Sequence, residues 1–183
     1  MVAPSFDPTH AVRFDLPHGS VRAGGDGDPV LLIPCAALDD LVLSAPTEAV
    51  EVLGRALGSA IGRRAAARLE DPKAASIEGF ITQLAGEGAL AGVGVFGIER
   101  WGRALVVVIE RSPLVGTLLA PLVASAIEAA SGRKVWTALL SRDEHAARVL
   151  VASERAIERV REALASGKAW GEALAMLHAG AQK

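Results

Sequence analysis

The stretch "GVGVFG", Gly92 to Gly97, is a literal G-x-G-x-x-G. In a dinucleotide fold these glycines follow a strand and open a helix, so that the pyrophosphate meets the helix N-terminus. Here a helical pattern comes before, and the strand-like "IERW" comes after. The context is inverted, so we read a turn and strand that need small residues, not a nucleotide site. Cys35 could be a nucleophile or an acylation site, but it follows the apolar run "VLLIP" with no histidine near it in sequence. A free cysteine in that setting reads as a small core residue. His10, His18, His145 and His178 show neither an H-x-x-x-H spacing nor a cysteine partner, so no metal set is expected. His145 sits beside Asp143 and Glu144 in "SRDEHA", which reads as a solvated hairpin tip, and Asp39-Asp40 reads as helix capping. Neither a G-x-S-x-G elbow nor a P-loop is present. No catalytic residue, metal or cofactor is assigned, and an enzyme has no positive support.

A different pattern carries more. In "LGRALGSAIGRR", Gly54, Gly58 and Gly62 recur every four residues and so line one helix face. Each glycine costs a helix about 1 kcal/mol relative to alanine, and removing side chains lets another backbone approach. Two readings stay open: a seam or groove for a second subunit, partner or ligand, and tight helix packing within one subunit. An apolar pocket beside this helix would be lined by Leu57, Ile61, Phe80 and Leu84. The last segment, "KAWGEALAMLHAG", places Trp170, Leu174 and Leu177 on one face, a candidate docking element for a protein partner.

The elements that must position these residues follow from period and punctuation. "AVRFDLPHGSVRA" and "PVLLIP", separated by "GGDGD", read as a small hairpin or two arm-like strands. From Ser44, taken as an N-cap, the period is helical, with Pro46 in the first turn and Pro72 near the end. Ser76 caps a second helix, "SIEGFITQLAGEGAL". Two hairpins are expected, "AGVGVFGIERW" with "RALVVVIERS", and "RKVWTALLSR" with "ARVLVAS". Between them lies a helix stopped at Gly132, with Pro121 as a break or restart. "SERAIERVREALASG" is a charged helix whose Ile157, Val160 and Leu164 stripe must bury. This order predicts an α+β fold with helices packed on an antiparallel sheet. The expected organisation is a tail and small strand segment over 1–40, an α+β domain over 41–165, and a C-terminal helix over 166–183.

The chain has 183 residues, 51% apolar and 22% charged, enough for one sizeable core. A net charge of -2 and 4% aromatics argue against nucleic acid as a partner. One cysteine fits a reducing compartment. The N-terminus lacks a signal-peptide pattern, and no apolar run is long enough to span a membrane, so the cytoplasm is expected. The Ala, Val, Leu and Arg bias reads as a GC-rich, bacterial source.

The element order, together with "VLGRALGSAIGRRAAARL", "VVVIERSPLVG" and "LLAPLVASAIEAASGRKVWTALLSR", resembles one superfamily. It comprises the vinyl-reductase-type (hydrocarbon-binding) domains and the bet-three-like subunits of the TRAPP vesicle-tethering complex. The resemblance covers about residues 40 to 155. It implies an α+β homodimer that binds a small hydrophobic molecule or serves as a scaffold for a protein partner. A small-molecule sensor acting on a partner is the alternative. Two features depart from the family. "RLEDPKAASIEGF" lacks the cysteine that eukaryotic members acylate, and "WTALLSRDEHAARVLVAS" lacks the cysteines frequent in the last hairpin of prokaryotic members.

Overall fold

The structure, a computed structural model, describes residues 6–9, 11–23, 27, 29–69, 71, 76–102 and 104–179. Its centre is a four-stranded antiparallel sheet of order β3-β4-β6-β5. The strands are β3 (Val95–Trp101), β4 (Ala104–Glu110), β5 (Trp136–Arg142) and β6 (Ala146–Ala152). Each expected hairpin is present, and β4 pairs with β6 to join them.

Helices cover both faces of this sheet. Val107, Ile109, Ala147 and Val149 point to one side, where they pack with α2 (Thr47–Ala67), α3 (Ile77–Leu90) and α4 (Gly116–Ser131). Val106, Val108, Ala138 and Leu150 point to the other, under α5 (Glu154–Ala165) and α6 (Trp170–Ala179). Burial on both sides explains why β4 reads "ALVVVIE" as a near-continuous apolar run and does not alternate.

Capping chemistry is as expected at two ends. The Ser76 hydroxyl accepts the Gly79 N–H, and Gly132 ends α4 in the left-handed conformation at φ 67°. The glycine run 92–97 joins the end of α3 to β3, with Gly92 and Gly94 at positive φ, so it links helix to strand.

Four expectations change near the N-terminus and in α4. The small hairpin pairs β1 (Val12–Asp15) with β2 (Ser20–Ala23), so both strands come from "AVRFDLPHGSVRA". "PVLLIP" contributes one bridge, Arg22 to Pro29, and leaves Leu31, Leu32 and Ile33 exposed. Residues Cys35–Ser44 form a separate helix, α1, which holds Asp39 and Asp40 inside it and so removes their capping role. Ser44 ends α1, its hydroxyl donating to the Asp40 and Leu41 carbonyls, and Pro46 precedes α2 in its place. Helix α4 runs unbroken through Pro121. Pro72 lies outside the described residues.

Candidate functional site

The glycine stripe is an internal seam. A Cβ at Gly58 would overlap the Leu122 carbonyl, one at Gly62 the Ala126 carbonyl, and one at Gly54 would come within 2.8 Å of the Pro121 ring. The α2 and α4 backbones therefore touch along three helical turns. Of the two open readings, packing within the subunit is the one the geometry shows for this face.

The residues expected to line a pocket are core residues. Ile61 and Leu84 are fully buried, and Leu57 and Phe80 pack against the same cluster. The apolar faces of α2 and α3 close on each other and on the sheet, and none of the four residues lines the cleft described below. The buried carboxylate of Glu87 locks the same two helices, accepting from Arg64 Nε at 2.7 Å and Arg68 Nε at 2.6 Å.

The face expected to dock a partner is likewise occupied. Leu174 is 2% exposed in the second core, with Trp170 and Leu177 packed against it. Trp170 also meets Trp101 edge-on at 5.1 Å between ring centres. Cys35 is exposed at the start of α1, contrary to a core role. His18 lies 2.9 Å from Asp15, and the residue at the β5–β6 tip, His145, is exposed. His10 and the His178 side chain lie outside the described residues. Among the described residues no group of three or more His, Cys, Asp or Glu is placed to hold a metal ion, and no helix is long and apolar enough to cross a membrane.

An open cleft of about 660 Å³ lies elsewhere, at the β5 edge of the sheet. Its walls come from the end of α1 (Val42, Leu43), the first turns of α2 (Thr47, Val50, Glu51, Arg55), one side of α4 (Thr117, Ala120, Pro121, Ala124, Glu128) and the entry to β5 (Lys134, Val135, Trp136, Thr137). Arg161 reaches it from α5 on the far side of the sheet.

Local chemistry sets this shape. Proline has no N–H, so the Thr117 carbonyl lacks its helical donor at Pro121, and the ring instead presents an apolar surface. Gly54 makes the room for that ring. Thr137 Oγ1 donates to the Ala120 carbonyl at 2.8 Å, fastening β5 to α4. Glu128 is held on both oxygens, by the Arg55 guanidinium and by the Val135 N–H at 3.1 Å. Arg161 donates to the Thr137 carbonyl at 2.9 Å, which occupies an acceptor on the open edge of β5. The Lys134 ammonium sits 5.0 Å from the centre of the Trp136 ring. Spacing could not have found this set, since Arg55 and Glu128 are 73 residues apart.

Two carboxyls outside the cleft titrate below their ordinary range. Asp143 is lowered by the N–H groups of Ala146 and His145, and Glu78 by its own backbone N–H and then by Arg100. Both are exposed, and neither faces a reacting centre. They stabilise a turn and a helix start.

No family model and no curated relative matches the chain. Among solved structures, the fold is similar to that of the phenol-responsive sensory domain of the transcription activator PoxR, determined with phenol. That likeness has a TM-score of 0.59 at 17% identity, over 77% of this chain and 84% of that one. At such identity what is shared is the α+β fold.

Proposed function

We propose that this chain is a binding domain of the sensory type, taking a small organic molecule in the cleft beside β5 and performing no chemistry on it. The cleft itself carries the reading. Its volume lies within the range of small-molecule sites, about 300–1,000 Å³, and its apolar floor has a few polar groups at fixed positions. Neither Cys35 nor His145 lines it. The PoxR domain, a sensor of phenol by its description, supports the class of function. The resemblance to vinyl-reductase-type and bet-three-like domains agrees with a non-enzymatic ligand module, and an exposed free thiol at Cys35 fits a cytoplasmic setting.

The cleft also offers a route for a signal. Val42 and Leu43 belong to α1, which makes only scattered contacts with the rest of the fold. A ligand against Leu43, which is 76% exposed, would alter the pose of α1 about the anchor that Val42 and Leu38 make in the core. The test is native mass spectrometry of the purified protein and of its Ala120→Trp variant, which fills the cleft. Extra mass on the wild type that is extractable, and missing from the variant, is the expected result. Extra mass retained by a folded variant would place the ligand elsewhere and overturn the reading.

A second reading, a homodimer, is favoured by one observation. Leu41 and Leu43 of α1 stand 58% and 76% exposed, and Leu31, Leu32 and Ile33, in the segment that leads into α1, are uncovered as well. A helix this apolar on several sides is normally covered, and a second copy of the chain would cover both arms at once through a two-fold interface. Light scattering should give a dimer that a Leu31→Glu, Leu32→Glu variant converts to monomer. A monomeric wild type would end this reading and leave the cleft untouched.

A further inference from the structure

The charges around the cleft say what kind of molecule it would hold. Three cations line it, Arg55, Lys134 and Arg161, against two carboxylates, Glu51 and Glu128. Glu128 already has Arg55 as its counter-charge and accepts the Val135 N–H on its other oxygen. Glu51 stands exposed one helical turn before Arg55, the nearest cation on its own helix. Lys134 and Arg161 form no ion pair among the described residues. Lys134 rests over an indole ring and Arg161 on one neutral carbonyl. Both have N–H donors to spare, since an ammonium carries three and a guanidinium five.

These two cations also share one side of the cleft. Lys134 leads into β5, and Arg161 is fastened to Thr137 of the same strand. The opposite walls, from α1, α2 and α4, offer Val42, Val50, Ala120 and Pro121. One side therefore carries the two unpaired cations, and the other combines these apolar side chains with Glu51 and the mutually paired Arg55 and Glu128.

Resting on the reading of this cleft as the binding site, we propose that its ligand is an amphipathic organic acid, a monocarboxylate with an apolar or aromatic body, whose carboxylate is held by Lys134 and Arg161. The apolar body lies along the Val50, Ala120 and Pro121 surface of the α2 and α4 walls. The carboxylate takes charge-assisted hydrogen bonds from the two free cations, which are about twice as strong as neutral ones. Both cations are exposed and stay solvated beside a neutral molecule of the same shape, such as an alcohol or an amide, which binds less well only because it forgoes these charge-assisted bonds.

The experiment is a calorimetric titration with 1-naphthoate and its neutral isostere 1-naphthamide. The proteins are the wild type, a Lys134→Met, Arg161→Met variant, and the cleft-filling variants Ala120→Trp and, should that fail to fold, Thr117→Trp. The wild type is expected to prefer the acid by about tenfold or more, the two-methionine variant to lose that preference while still binding the amide, and the filled cleft to bind neither. Equal affinity for acid and amide in the wild type, abolished by filling the cleft, would overturn the acid assignment and keep the site. Binding that survives filling of the cleft, or no binding of either probe, would overturn the site and the assignment together.

Discussion

The two helical layers of this molecule hold their own helices together by opposite means, and one residue type shows the difference. In α2 the glycines at 54, 58 and 62 meet the α4 backbone, with no space for a Cβ. In α6 Gly171 has nothing within 4 Å of where its Cβ would stand. In the first layer the α2–α4 seam depends on side chains that are missing, and in the second the α5–α6 contact depends on side chains that are present, the Ile157 and Val160 stripe with Leu174 behind it. A contact between backbones has no rotamers with which to adjust, whereas a contact between side chains does. The two layers should therefore tolerate change differently.

The largest effect is expected at Gly58→Ala. Alanine alone would favour the helix by about 1 kcal/mol. Its Cβ, however, would overlap the Leu122 carbonyl, and only separation of α2 from α4 relieves that. The overlap wins, and the variant should lose on the order of 3 kcal/mol or more of stability by urea denaturation, or fail to accumulate as folded protein. Gly62→Ala, against the Ala126 carbonyl, should behave similarly. Gly54→Ala should cost less, because its Cβ would come only within 2.8 Å of the Pro121 ring and 2.9 Å of the Leu118 carbonyl, a milder overlap than at Gly58. A Gly58→Ala protein as stable as the wild type would show that the two backbones do not touch.

In the second layer, Ile157→Ala removes a side chain that is 1% exposed and leaves a cavity. The expected loss is about 2–5 kcal/mol, graded by how far α6 can settle into the space. An intermediate Ile157→Val should cost about 1 kcal/mol. No such gradation is expected at Gly58, and finding it there would erase the distinction between the layers.

Gly171→Ala turns the sign around. The site is exposed, helical and open, so the substitution should stabilise by at most about 1 kcal/mol. Gly58→Ala and Gly171→Ala are the same chemical change in two helices. Opposite signs in one denaturation series would be the sharpest confirmation of the comparison, and a loss at Gly171 would mean that α6 has a neighbour on that side.

Much of the fold could be read from the sequence because its signals are local. The Ser76 cap, the Gly132 stop, the two central hairpins and the α5 stripe each occupy one short window. The glycine stripe was legible as a close contact, but sequence could not say whether the contact lay within or between subunits, since that depends on where α4 arrives. Helix α1 was missed because it has no polar N-cap, its apolar residues surround it, and Pro34 begins it without a side-chain hydrogen bond. The site was least legible. Leu57, Ile61, Phe80 and Leu84 have the composition of a pocket, but two helices close over them. The cleft draws on five separate elements and charges brought from 73 residues apart, so no window contains it.

The smallest expected effect belongs to the β5–β6 turn, which serves both layers and belongs to neither. The Asp143 carboxylate accepts the His145 N–H at 2.8 Å and the Ala146 N–H at 2.9 Å, and these bonds hold its pKa below the ordinary aspartate range. A carboxyl with a lowered folded pKa contributes stability that is fully present above its unfolded value, about 3.9, and is lost as pH falls through the folded value. Asp143→Ala should therefore be slightly less stable than the wild type near neutrality, and the gap between their denaturation midpoints should close as the solution is acidified below about pH 4. Neither Gly58→Ala nor Ile157→Ala changes a titrating group, so their gaps should stay constant over the same range. A pH-independent gap for Asp143→Ala would mean that the turn is held by its backbone bond from the Asp143 N–H to the Ala146 carbonyl, and not by the carboxylate.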